Sequence, residues 1–96
     1  MISKDAACGT MVCVLRALQI TVESKDPAVR KQGKTTIMEG VHFIFDNVSE
    51  EITALLAPFE LALTIIVVSD EDEIRYRGGI ALIKTLNLWM DEIYNI

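Results

Sequence analysis

The segment from Ser49 to Asp70 constrains the fold more than any other, because it is apolar on nearly every side. Glu60 is the only ionisable residue between Ile52 and Val68. A helix that is hydrophobic all round has to be covered by protein or by lipid. The apolar stretch lies at the short end of the about 17–25 residues that a membrane span needs, and Pro58 and Glu60 lie near its centre. We therefore expect protein to cover it, as the most buried helix of a small bundle.

Start signals for helices precede all four segments that the sequence predicts to be helical. Apolar residues recur at three- and four-residue spacing along the first, second and fourth of them. The predicted N-caps are Ser3, Asp26 followed by Pro27, Asn47 or Ser49, and Ser69 with Asp72 three residues later. The predicted helices cover residues 3–23, residues 27–47, the apolar segment, and the stretch from the Ser69 cap to Tyr94.

The predicted fold class is all-α, a compact antiparallel four-helix bundle with a Pro-kinked central helix. Helices of about twenty residues joined by short loops favour this up-down arrangement, and Pro58 should kink the third helix. We expect residues 1–96 to form a single helical domain without internal repeats. The alternative is an α+β fold, because Gly78-Gly79 between two apolar stretches can form a hairpin turn and residues 64–68 are rich in β-branched side chains.

The charge distribution excludes some classes of partner. The net charge is −5, and it divides into +1 for residues 1–48 and −6 for residues 49–96. An acidic chain is repelled by nucleic acid and by anionic membranes, so we expect neither as a direct partner. Cys8 and Cys13 are predicted to be reduced core thiols of a cytoplasmic protein, since no secretory leader fits the N-terminus.

No set of residues predicts an active site. Glu39 and His42 have the spacing of a metal-binding pair on one helix face, but His42 is the only histidine, whereas such sites need further ligands. Glu60 is expected to lie at the surface or to pair with Arg16 or Lys84. We predict that the protein is not an enzyme and holds no cofactor or metal.

The functional prediction is a small protein-binding module, regulatory or adaptor in character, that also forms homo-oligomers. The mean hydropathy of +0.35 predicts apolar surface left over for a protein partner. The predicted interface on the fourth helix consists of Ile80, Leu88, Trp89 and Tyr94. The alternative function is an acidic inhibitor, from a phage or another mobile element, that mimics nucleic acid and blocks a nucleic-acid-binding protein. It would act through an acidic pole made of Asp46, Glu50, Glu51, Asp91 and Glu92.

Overall fold

Four α-helices account for most of the chain in a computed structural model that describes residues 2–46 and 50–94. Within these two ranges no strand occurs, so the predicted all-α four-helix bundle is confirmed and the α+β alternative is wrong. Gly78 and Gly79 lie inside the fourth helix, where the absence of a side chain lets them approach Ile66 and Val22 closely. The helices are α1 Lys4–Glu23, α2 Pro27–Phe45, α3 Glu50–Val68 and α4 Asp72–Tyr94.

The predicted starts of α1 and α2 are confirmed, and the predicted start of α4 is wrong. The Ser3 hydroxyl accepts a hydrogen bond from the backbone N–H of Ala6, and the Asp26 carboxylate accepts one from that of Ala28. The α4 helix begins at Asp72 rather than after Ser69, because the Ser69 hydroxyl accepts from the N–H of Glu71 within the preceding turn. The caps predicted for α3, Asn47 and Ser49, lie outside the described residues.

The helices pack in a ring around one core. Each of α1 and α3 packs between α2 and α4, and the bundle measures 36 × 23 × 18 Å. The α3 helix runs through Pro58 as one element. Every helix contributes at least one fully buried branched residue to the core, including Leu18, Ile37, Leu63 and Leu86.

The bundle consists of two equivalent helical hairpins, which we call hairpin 1 (α1 and α2) and hairpin 2 (α3 and α4). The described positions of the two hairpins correspond at an offset of 45 residues, so that α1 and α3 end, and α2 and α4 begin, at counterpart residues. Buried positions coincide in ten pairs: Ala7/Ile52, Met11/Leu56, Val14/Phe59, Leu18/Leu63, Val22/Val67, Arg30/Arg75, Ile37/Leu82, Val41/Leu86, Ile44/Trp89 and Phe45/Met90.

Hydrogen bonds in the two connecting loops repeat with the same offset. The Ser24 hydroxyl accepts from the backbone N–H of Asp26 at 3.2 Å, and the Ser69 hydroxyl accepts from that of Glu71 at 3.3 Å. Both loops therefore make the same turn, which brings the end of one helix to the start of the next.

Two buried arginines tie the hairpins to each other reciprocally. The Nε of Arg30 donates to the Val67 carbonyl oxygen at 2.7 Å, and the Nε of Arg75 donates to the Val22 carbonyl oxygen at 3.1 Å. Each arginine thus satisfies a carbonyl at the open C-terminal end of the other hairpin's first helix, where intrahelical donors are missing. The two hairpins are related by an approximate two-fold axis.

The expectation that the chain contains no internal repeat is therefore wrong. Among the ten buried pairs only Leu18/Leu63, Val22/Val67 and Arg30/Arg75 are identical, so a direct comparison of residue types shows little similarity. The repeat lies in the register of buried positions and in the loop hydrogen bonds rather than in residue identity.

Candidate protein-binding faces

The predicted interface on α4 is only partly at the surface. Trp89 and Tyr94 are buried, which corrects their assignment to an exposed protein interface. Trp89 lies between Phe45 and Phe59, with ring centroids 5.6 Å from each, and the Phe45 ring meets it edge-on. The Tyr94 hydroxyl donates to the Ile44 carbonyl oxygen at 2.8 Å. Both side chains therefore hold the bundle together instead of binding a partner.

Burial also raises the pKa of the Tyr94 phenol, since removal from water disfavours the ionised form. The neutral hydroxyl is the form that can donate to the Ile44 carbonyl oxygen. The hydrogen bond and the burial consequently favour the same protonation state.

The two remaining predicted interface residues are exposed but do not lie together. Ile80 lines a groove of about 490 Å³ between α1 and α4, beside Tyr76 and Gln19. Leu88 points away from that groove, because it lies eight residues further along α4, which places it about 80° around the helix axis. The four predicted residues consequently divide among the core, one groove and a second surface.

That second surface is the outward side of a hairpin, and both hairpins have one. On hairpin 1 the outward side of α1 and α2 forms two shallow grooves that contain no charged residue except Glu39. We name this surface outer face 1, defined by Cys13, Ala17, Ile20, Val29, Thr36 and Phe43. The counterpart positions on hairpin 2 form outer face 2, defined by Pro58, Ala62, Ile65, Ile74, Ala81 and Leu88.

Apolar side chains are exposed at matching positions of the two outer faces. Ile20 and Ile65 are 57% and 58% exposed, and Val29 and Ile74 are 42% and 45% exposed. The third pair, Phe43 and Leu88, is 51% and 67% exposed. Single exposed apolar residues need no explanation, whereas exposed apolar residues grouped on one surface are typical of binding sites.

The acidic pole lies at one end of the bundle. The helices run antiparallel, so the end of α2, the start of α3 and the end of α4 lie at that end, and the hydrogen bond from Tyr94 to Ile44 confirms that α2 and α4 end close together. All five predicted carboxylates are exposed: Asp46, Glu50, Glu51, Asp91 and Glu92.

The other groups singled out in the sequence form no chemical site among the described residues. His42 and Glu39 line an open groove with Lys34 and Glu60, and no cluster of three or more metal-ligating side chains occurs in residues 2–46 and 50–94. Glu60 pairs with Lys34 at 4.0 Å, which corrects the expected pairing with Arg16 or Lys84.

The two cysteines are free, and their environments differ from the prediction. Cys8 is half-buried against the core, whereas Cys13 is exposed on outer face 1. The assignment of both as core thiols is therefore wrong for Cys13. Its counterpart Pro58 is exposed as well, so this position faces outward in both hairpins.

Two helices, Lys4–Glu23 and Glu50–Val68, are long and apolar enough to cross a membrane by length and composition alone. Core helices of soluble proteins meet the same criterion, as do signal sequences near an N-terminus. The two are counterparts in hairpins 1 and 2, and each contributes a buried stripe to the core.

The chain was compared with protein-family models, with curated proteins and with solved structures, and none of the three comparisons gives a match.

Proposed function

We propose that this protein is a small, non-enzymatic protein-binding module that acts through the outer faces of its two hairpins. The observation that carries this proposal is the matched exposure of Ile20/Ile65, Val29/Ile74 and Phe43/Leu88. Buried positions are apolar in both hairpins because the core requires it. Packing within the bundle does not explain why positions that are about half exposed are apolar in both hairpins. Burial against a partner does explain it.

The chemistry of these faces suits a protein partner. A large aromatic or branched aliphatic side chain loses the most apolar surface when a second protein covers it, and the centres of protein interfaces contain few charges. The defining residues of each outer face are uncharged, and Glu39 is the one charged residue that lines the grooves of outer face 1. Such a low share of charged residues is typical of the centre of a protein–protein contact.

The test is affinity capture from a host lysate with the tagged full chain, at low and at high salt. We expect one stoichiometric protein that stays bound at high salt. The single variants Ile65→Glu and Leu88→Glu should each fail to capture it. Val12→Glu is the matched control, because Val12 is also an exposed apolar residue but does not line the grooves of outer face 1. Capture that is unaffected by variants on both outer faces would refute the proposal.

The acidic inhibitor is a second candidate, and the position of its carboxylates favours it. Glu50 and Glu51 lie in the first turn of α3, where the helix dipole stabilises acids, but Asp91 and Glu92 lie in the last turns of α4, where it disfavours them. These two acids therefore have no explanation in helix stability. In this case the captured protein would bind nucleic acid, would be released by salt, and would be lost with Asp91→Lys/Glu92→Lys rather than with Leu88→Glu.

A further inference from the structure

We infer that the partner of each outer face is a second copy of this chain, with outer face 1 of one molecule packed against outer face 2 of the next. This inference rests on the proposed function and names the occupant of the same faces. The two faces lie on opposite sides of the bundle, because α1–α2 and α3–α4 form opposite sides of the ring of helices. A contact of this kind joins unlike faces, so it leaves one face of each type open and continues from copy to copy.

The internal two-fold explains how the faces can fit each other. The positions that project from outer face 1 have counterparts of similar size and exposure on outer face 2, including the identical pair Ile20 and Ile65. Side chains that project at matching positions of the two outer faces can interlock when one face is turned over onto the other. Ridges on one helix pair then enter the grooves of the other, as they do in ordinary helix packing.

The charges at the edges favour contact between unlike faces. Glu39 borders outer face 1, and its counterpart on α4, which borders outer face 2, is Lys84. Arg77, the counterpart of Gln32, does not add to this charge difference, because it pairs with Glu73 at 2.7 Å on its own helix. Two copies of outer face 2 would bring two Lys84 side chains together, whereas outer face 1 offers Lys84 the carboxylate of Glu39. Like charges brought together in an interface oppose association.

Two double variants separate the possible modes of association. Variant A is Ile20→Glu/Phe43→Glu, which removes outer face 1, and variant B is Ile65→Glu/Leu88→Glu, which removes outer face 2. All four side chains are at least half exposed, so the substitutions leave the core unchanged, and circular dichroism should show wild-type helix content. The control is Val12→Glu in the full chain.

The measurement is analytical ultracentrifugation of the untagged full chain over a range of concentrations. We expect the mass of the wild type and of Val12→Glu to rise past the dimer with concentration, while variant A alone and variant B alone stay monomeric. An equimolar mixture of A and B should form a one-to-one heterodimer and nothing larger, because only one intact contact remains.

Other results overturn the inference. A wild type that is monomeric at every concentration would overturn it. If Leu88→Glu nevertheless abolished capture of another protein from lysate, the proposed function would stand, with that protein as the occupant of the outer faces. Dimers of variant A alone, with no heterodimer in the mixture, would show that outer face 2 pairs with itself. A wild type that neither self-associates nor captures any protein from lysate would refute the proposed function as well.

Discussion

Hairpin 1 and hairpin 2 share one pattern of buried positions but differ in how closely their helices approach. In hairpin 1, α2 presents Gly33 to Thr21 and Gly40 to Val14. In hairpin 2 the counterpart contacts involve larger residues, because Gly78 faces Ile66 and Thr85 replaces Gly40. The α1 and α2 helices accordingly pack against each other more extensively than α3 and α4 do. The register of a helical hairpin can therefore be kept while the distance between its helices changes.

The hairpins also differ in charge. The two halves of the chain carry net charges of +1 and −6, although their buried positions coincide. Arg30 and Arg75, which the fold requires, are kept in both hairpins. Exposed charges follow no single rule, because Asp46 and Asp91 match whereas Glu39 and Lys84 have opposite charge.

Exposed apolar residues are matched in the three pairs of the outer faces, whereas others such as Leu61 and Ile80 have Arg16 and Thr35 as counterparts. We assign the matched pairs to binding because they are grouped on one surface of each hairpin. The following predictions test this comparison.

The largest effect is expected at a core pair in which the hairpins differ in size. Trp89 of hairpin 2 contacts two phenylalanines, while its counterpart in hairpin 1 is Ile44. Trp89→Ala should lower the free energy of unfolding by about 3–5 kcal/mol, and Ile44→Ala by about 2–4 kcal/mol, because each leaves a cavity in the core. Urea denaturation at one fixed protein concentration measures both.

Val12→Ala is the control for Trp89→Ala, because Val12 is exposed and does not line the grooves of outer face 1. It should change the free energy of unfolding by less than about 0.5 kcal/mol. Equal effects of Val12→Ala and Trp89→Ala would contradict the burial that the structure assigns to Trp89.

The second comparison concerns the two buried arginines. Arg75 forms an ion pair with Asp72 three residues earlier, whereas the counterpart of Asp72 in hairpin 1 is Pro27. Arg30 has only a long pair with Asp70, at 3.9 Å, and the Asp70 side chain is 98% exposed. Arg75→Ala should therefore cost about 3–4 kcal/mol of unfolding free energy, since carbonyl groups and a carboxylate lose their partner.

Arg30→Ala should cost about 1 kcal/mol less than Arg75→Ala, because an exposed ion pair contributes little. Both arginines still donate to carbonyl groups of two different helix ends, so neither substitution should be neutral. Denaturation of the two single variants in parallel measures the difference. A cost for Arg30→Ala that exceeds the cost for Arg75→Ala would show that the acidic partner does not decide the ranking.

The third comparison uses the glycines between the helices. A methyl group at Gly33 would overlap the fully buried, β-branched Thr21, while at Gly78 it would meet the half-buried side chain of Ile66, whose end can move. Gly33→Ala should therefore destabilise by about 1–3 kcal/mol and Gly78→Ala by less. Gly9→Ala, where nothing lies within 4 Å, should stabilise by about 0.5–1 kcal/mol through helix propensity. Thermal unfolding of the three variants gives their order, and a neutral Gly33→Ala would contradict the close approach of α1 and α2.

The sequence was sufficient to predict elements and fold class, because helix starts such as Asp26-Pro27 and the apolar spacing are local signals. It was not sufficient to predict which residues are buried at the border of a wide apolar helix surface. Trp89 and Leu88 are neighbours of similar hydrophobicity, and only the position of α2 and α3 decides that Trp89 is buried. The burial of Arg30 and Arg75 depends in the same way on carbonyl groups contributed by the other hairpin.

The repeat did leave a signal in the sequence that spacing within single helices does not reveal. Val22, Ser24, Arg30 and Gly33 recur at identical spacing as Val67, Ser69, Arg75 and Gly78. These are the accepting carbonyls, the donating arginine and the glycine at the helix contact. A search for a shared pattern of functional positions, rather than for overall identity, would have found the two hairpins and, with them, the paired outer faces.

The smallest effect concerns Tyr94, which joins the ends of α4 and α2. Its pKa is raised above the ordinary value of about 10, so the folded protein keeps the phenol protonated at a pH where the unfolded chain has begun to lose the proton. The unfolded state then binds fewer protons than the folded state, and the free energy of unfolding falls as the pH rises above about 10. Below that pH the contribution of Tyr94 is constant.

Tyr94→Phe should cost about 1 kcal/mol at neutral pH, from the lost hydrogen bond to Ile44, and should make the loss of stability above pH 10 shallower. Urea denaturation of both proteins at neutral and alkaline pH measures the two slopes, and parallel slopes would show that the unfolding of the bundle in alkali does not depend on this phenol.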